Sequence, residues 1–373
     1  MLGDRALKIT LFLGAGASMS FGKPTTSKLR KILLAKSYAD TFHNFILRSL
    51  LQVEKFTDIE YVLQAIKDIV DFSDSVGNDY FSSLGYQATF RHTMLVHGSN
   101  SYTFDQVIAE LKKVYDTLKR EIFENYSWKH MDEEDKNLTS IYDRIIPLLG
   151  KFSDEIHIFT TNYDQAIEIY CDKNSNLQCV DGFVHDVGIR KNIWAKGDYD
   201  YLGKKEGITN VYLYKLHGSL NWKKHIQYNF VRTDEESIPS DPKFTDNMLI
   251  YPALSPKDDG KNNEPYKTIL AKFDNYMNNA QVCIVIGFSF RDEHINEVFE
   301  RFYESGKVLI VFSPHAVRDF RKNILHETPS EQELAEWEKL SSMNIKDKVF
   351  LIQKKIEVGT VDDIVREITP KLS

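Results

Sequence analysis

Seven short apolar runs limit what this chain can fold into. They are LKITLFLGAG (7–16), EIHIFTTNYD (155–164), VYLYKLHG (211–218), NMLIYP (247–252), QVCIVIGFS (281–289), KVLIVFSP (307–314) and KVFLIQK (348–354). A strand with one wet face alternates apolar and polar residues. Several of these runs are nearly continuous, which suits strands covered on both faces, as in a parallel sheet. Helical patterns separate them. FTDIEYVLQAIKDIV (56–70) and YTFDQVIAELKKVYDTLKREIF (102–123) carry apolar residues at helical spacing. Thr57 with Glu60, and Ser330 with Glu333 in a charged stretch read as an exposed helix, have capping-box spacing.

The expected fold is α/β: a doubly wound parallel sheet with a largely helical insertion. The sheet domain is expected to use residues 1–39 and 151–373, and the insertion residues 40–150. The polar stretches 172–207 and 223–246 read as loops or small excursions.

Composition narrows the function. With 42% hydrophobic residues among 373, the chain can bury a large core. Its 47 basic and 54 acidic residues give a net charge of −7, so direct nucleic-acid binding is not expected. Cys171, Cys179 and Cys283 have no disulfide-framework or zinc spacing, so no metal site is expected. No run approaches the roughly 18–20 apolar residues of a membrane span, and none reads as a signal peptide. A reducing cytoplasm is the expected location.

In α/β sheets, ligands sit beyond the carboxyl ends of the strands. Four run ends here are polar or glycine-rich: Gly14-Ala15-Gly16, Thr160-Thr161-Asn162-Tyr163-Asp164, His217-Gly218-Ser219 and Gly287-Phe288-Ser289-Phe290-Arg291-Asp292. Each has an ordinary explanation. The glycines turn a strand into a helix; Asn162, Ser289 and Asp292 cap helices; Asp164 is a first-turn acid; His217 is a satisfied core histidine. Together, a glycine cradle, an amide and an imidazole at strand ends make a nucleotide site with a proton-accepting group. The loop is not a Walker loop, and Met19 stands where a third glycine of G-x-G-x-x-G would fall.

These residues resemble the sirtuin (Sir2) superfamily. GAGAS (14–18) matches its glycine signature, TTNYD (160–164) resembles its Thr-Gln-Asn-Ile-Asp segment, KLHGS (215–219) matches its His-Gly, and IVIGFSF (284–290) resembles its Gly-Thr-Ser segment. HGSLNW and GFSFRDEHIN look more like bacterial Sir2-like proteins of anti-phage defence than like protein deacylases. Two departures bear on that choice. Residues 218–280 contain no cysteine, so the structural zinc module of true sirtuins is absent, and the turn FGKPTTSKLR lacks their Asp-Phe-Arg.

The resemblance implies a Rossmann-like fold and NAD as substrate, cleaved at the nicotinamide–ribose bond without a metal. It implies catalytic roles for Asn162 (ribose or water), His217 (general base) and Asp164 (orienting the network). It also implies NAD contacts from Gly14, Ala15, Gly16 and Ser18 at the pyrophosphate, from Thr161, and from Gly287, Ser289 and Asp292 on the adenosine side. An NAD-dependent protein deacylase and a non-catalytic NAD-binding assembly module are the alternatives. A homo-oligomer or a partner protein, such as a HerA-like ATPase, is expected to control an activity that drains NAD in abortive infection.

Overall fold

The computed structural model of the chain describes residues 7–76, 94–129, 131–153, 155–187, 191–195, 199, 207–233, 243–249 and 264–372. It divides into two compact units. One holds Met1–Lys23, Ser127–Ile250 and Asp259–Ser373; the other holds Pro24–Tyr126.

The first unit is built on an eight-stranded sheet. Its strands are β1 (Ile9–Leu13), β4 (Glu155–Thr160), β5 (Leu177–Val180), β8 (Thr209–Lys215), β12 (Val282–Ile286), β13 (Val308–Phe312), β14 (Ser342–Ile345) and β15 (Val349–Ile352), in the order β14-β15-β13-β12-β1-β4-β8-β5. All neighbours pair in parallel except β14, which runs antiparallel to β15 at the edge. The sheet is therefore the mostly parallel α/β sheet that the continuous apolar runs require.

Alternate residues of each strand feed opposite cores. Ile9, Leu11 and Leu13 join one cluster, whereas Phe12 joins the other. The first cluster is closed by helices α5 (Asp132–Gly150), α6 (Ala166–Asp172) and α11 (Val361–Leu372). The second is closed by α7 (Tyr266–Asn279), α8 (Glu293–Glu304), α9 (Ala316–Asn323) and α10 (Glu331–Lys339), where Phe12 packs 5.6 Å from Phe273 and 5.1 Å from Phe299. Helix α5 belongs to this unit, not to the insertion. Its stripe of Leu138, Ile141, Tyr142, Ile145, Ile146 and Leu149 is buried in the first cluster, and each such side chain stabilises by about 1.5–3 kcal/mol.

A second, antiparallel sheet holds β6 (Phe183–Asp186), β7 (Lys191–Trp194), β9 (Gly218–His225), β10 (Asn229–Arg232) and β11 (Phe244–Leu249) in the order β11-β9-β10-β7-β6. Two expectations change here. The run at 247–252 does not join the parallel sheet: it contributes to β11, and its part beyond Leu249 lies outside the described residues. The polar stretches at 172–207 and 223–246 hold β5, β6, β7 and β10.

The second unit contains α1 (Thr26–Ala35), α2 (Phe42–Gln52), α3 (Ile59–Val76) and α4 (Phe104–Tyr126), with a hairpin of β2 (Met94–His97) and β3 (Asn100–Thr103). Its helices bury Leu29, Leu47, Leu63, Ile66, Leu111 and Leu118. The cap of α3 is Asp58, whose Oδ1 accepts from the amides of Glu60 (3.1 Å) and Tyr61 (3.3 Å), rather than Thr57. The Ser330–Glu333 capping box forms as expected, although α10 also buries Trp337.

Candidate active site

Strands β12, β1, β4 and β8 are consecutive in the sheet, so their carboxyl ends lie side by side. All four unusual run ends meet at this edge. The first contact there is backbone on backbone. The Gly14 amide donates to the Ile286 carbonyl and the Gly16 amide to the Gly287 carbonyl, both at 2.9 Å. A Cβ on Gly14 would lie 2.6 Å from the Gly287 oxygen, and one on Gly16 would lie 2.8 Å from the Gly287 Cα. These glycines let two loops touch. Their amides are taken within the protein, which corrects the expectation that both face a pyrophosphate. The chain then enters a 3-10 turn (Ala15–Phe21), with Ala15 half-buried and Ser18 buried.

Asn162 follows β4. Its Nδ2 donates to the Gly14 carbonyl and to Ser18 Oγ, both at 3.0 Å, and its amide donates to Thr160 Oγ1 at 3.0 Å. The Gly14 carbonyl can only accept, so the amide orientation is fixed. Oδ1 is left buried without a hydrogen-bond partner. A buried, unpaired acceptor is costly unless something donates to it. A sugar hydroxyl or a water would do so, and in that respect the residues fit a nucleotide's ribose.

His217 sits where the chain leaves β8 and begins β9, only Leu216 separating it from the parallel strand. It is not a spare core histidine. Its Nε2 lies 2.8 Å from Asp292 Oδ2, and both side chains are 8% exposed. The other carboxylate oxygen, Oδ1, accepts from the amides of His294 (3.0 Å) and Ile295 (3.3 Å) and so caps α8. A carboxylate on one ring nitrogen sets the tautomer and leaves Nδ1 as the basic atom. Asp292 is thus the partner of His217, in place of the adenosine contact expected for it.

Asp164, expected to orient the histidine network, is engaged elsewhere. Its Oδ1 accepts from the Ala166 amide at 3.1 Å, and its carbonyl accepts from Lys215 Nζ. Lys215 also donates to Glu168 Oε1 at 2.9 Å, and its side chain is 1% exposed. Burial raises the Glu168 carboxyl above its ordinary range, and the adjacent Lys215 ammonium partly offsets this. Burial, followed by the charges of Asp164 and Glu168, also raises the Tyr142 hydroxyl. Asn162, Asp164, Glu168, Lys215, Ser18 and Tyr142 share a cavity of about 10 Å³, room for roughly one water.

A larger polar cleft, about 400 Å³, lies on α6 and β5, lined by Gln165, Glu168, Cys171, Cys179, Asn221 and Arg232 among others. His217 lines neither space. The neighbouring Cys171 thiol, together with burial, raises the Cys179 thiol well above its ordinary range.

Two constellations therefore stand at neighbouring strand ends: Asn162 with Gly14 and Ser18 after β4, and His217 with Asp292 after β8. Backbone bonds tie them, from the Leu216 amide to the Thr160 carbonyl (2.8 Å) and from the Leu220 amide to the Tyr163 carbonyl (3.1 Å). Thr161 donates its amide to the Leu13 carbonyl, and Ser289 Oγ accepts from Arg291 Nε at 3.1 Å. The sequence reading missed Lys215 and Glu168. A lysine inside VYLYKLHG, with apolar neighbours on both sides, was the available signal.

A mostly parallel α/β sheet with its polar groups at the carboxyl ends of adjacent strands defines a ligand-handling α/β protein of the doubly wound class. The chain matches the SIR2-like domain family over residues 156–344, half of its length, and belongs to that family. No curated protein sequence matches it. Among solved structures, it is similar to a Sir2 homologue bound to 2′-O-acetyl ADP ribose (14% identity, 98% of this chain and 93% of that one, TM-score 0.42). A Sir2 homologue–NAD complex (12% identity, 98% and 90%, TM-score 0.40) is also similar. So is a Sir2 protein bound to a propionylated peptide (11% identity, 98% and 94%, TM-score 0.39).

Proposed function

We propose that this protein is an NAD hydrolase that breaks the nicotinamide–ribose bond and releases nicotinamide and ADP-ribose. The observation that carries the reading is the buried His217–Asp292 pair after β8, together with the unpaired Asn162 Oδ1 after the neighbouring strand β4. NAD cleavage of this kind passes through an oxocarbenium-like transition state, as in glycoside hydrolysis. Nicotinamide leaves with the bonding pair, which neutralises its ring, so no strong acid is needed. Water must then reach C1′ of the ribose and lose a proton. His217 Nδ1 accepts that proton, Asp292 holds the resulting imidazolium, and Asn162 Oδ1 receives a ribose hydroxyl or the water.

Family membership supports NAD as the substrate but covers deacylases as well. The absent zinc cysteines and the absent Asp-Phe-Arg favour hydrolysis over acyl-lysine chemistry. The resemblance to defence proteins supports a role in phage infection, in the cytoplasm, with control by self-assembly or by a partner such as a HerA-like ATPase.

Product analysis tests the reading. Purified protein given NAD alone should yield free ADP-ribose and nicotinamide, and His217→Ala should slow this by about 10²–10⁴-fold. Product formed only with an acylated peptide, as O-acyl-ADP-ribose, would establish the deacylase. Saturable NAD binding with no turnover would establish a binding module.

A further inference from the structure

Lys215 is a fully buried ammonium in the sheet, two residues before His217. A buried ion pair is seldom the most stable choice: well-packed apolar residues of similar volume are often neutral or stabilising in its place. Its neighbours in β8 on the same face, Val211 and Leu213, show that this layer accepts aliphatic side chains. Stability alone therefore does not account for Lys215.

Its contacts do. The ammonium reaches the Asp164 carbonyl at the end of the segment that carries Asn162, and Glu168 on the following helix α6. The backbone already joins the segments at Thr160–Leu216 and Tyr163–Leu220. Lys215 adds a third tie, made by a side chain, at the exit of the Asn162 turn. The Glu168 carboxylate holds the ammonium in place and is itself fixed on α6. We infer that Lys215 is a positioning residue, which sets Asn162 relative to His217 by gripping the Asp164 carbonyl from the strand that carries the histidine. The inference rests on the proposed NAD hydrolysis for its kinetic readout. Lys215 touches no reacting atom; its effect is on geometry, and a displacement of about 1 Å costs on the order of 10²-fold in rate.

The test is a paired replacement. Lys215→Met with Glu168→Met removes both charges and leaves no unpaired ion, so the fold and melting temperature should be kept. The kcat for NAD should fall by roughly 10–100-fold, with KM changed by less than about threefold. Glu168→Gln leaves the ammonium without its countercharge and should lower stability, but it keeps an acceptor for Lys215 and its bond to Asp164, so the folded variant should hold kcat within about threefold of wild type. A folded double variant with wild-type kcat would overturn the inference. So would a fall of about tenfold or more in the kcat of folded Glu168→Gln, a criterion that also decides the matter if the double variant fails to fold. Wild-type protein that splits no NAD under any condition would instead defeat the parent reading. The crystal structure of the double variant then decides the positioning claim: Asn162 should shift by about 1 Å relative to His217, and an unchanged spacing would overturn the claim.

Discussion

Asp292 serves two elements with its two carboxylate oxygens: Oδ1 caps α8 and Oδ2 meets His217. This division makes a single substitution informative. In Asp292→Asn, the amide oxygen can keep the cap, since Asn and Asp cap helices about equally well, and stability should change by less than about 1 kcal/mol. The NH₂ group then faces His217 Nε2 and donates to it. The ring is forced into the tautomer that carries its proton on Nδ1, which removes the basic lone pair. NAD turnover should fall by at least about 10²-fold at nearly unchanged KM. Melting temperature and steady-state kinetics check both halves, and an Asn variant with wild-type kcat would detach Asp292 from the chemistry. Asp292→Ala is less clean, because it also removes the cap. The candidate site was partly legible at this scale. Asn162 and His217 stand out because polar residues close apolar runs. The His217–Asp292 pairing does not, because 75 residues separate the two and Asp292 already has a sufficient local role as a cap.

Among the elements, legibility followed self-sufficiency. Strands β1, β4, β8, β12, β13 and β15 are buried on both faces and announce themselves as apolar runs. Strands β5, β6, β7 and β10 have four residues each and owe their shape to ladder partners, which composition does not record. Strand β9 hid for a different reason: Lys223 and His225 look like surface residues but are buried, and Lys223 Nζ donates to the Leu220 carbonyl at 2.6 Å. The loops after β1 and β12 behave as one element, and Gly287 is where they press together. Its φ is +69°, and a side chain there would collide with the backbone of Gly16 and Ala17. Gly287→Ala should therefore cost more than about 2 kcal/mol, since the left-handed backbone alone costs roughly 1–2 kcal/mol. Gly306→Ala is the control: its φ is +68°, but nothing lies within 4 Å of the added carbon. Denaturant midpoints of the two variants separate the contact from the backbone cost, and equal destabilisation would show that the loop contact carries no energy.

For the whole molecule, the open matter is restraint. A hydrolase of NAD that is always active would exhaust its own cell, so the proposed activity requires a switch. The polar groups at the sheet edge all belong to the first unit, and the second unit (Pro24–Tyr126) contributes none of them. It is a mainly helical unit with its own buried residues, and the proposal is that it mediates assembly with other copies or with a partner. No helix among the described residues is long and apolar enough to cross a membrane. Self-association follows mass action: if the assembled form is the active one, specific activity rises with protein concentration and levels off when assembly is complete. The full-length protein should therefore show NAD turnover per chain that increases over a dilution series, in step with the mass measured by light scattering. A partner that supplies the assembling surface would shift that curve to lower concentration. Constant turnover per chain from a monomer at every dilution, with no partner present, would remove assembly as the switch.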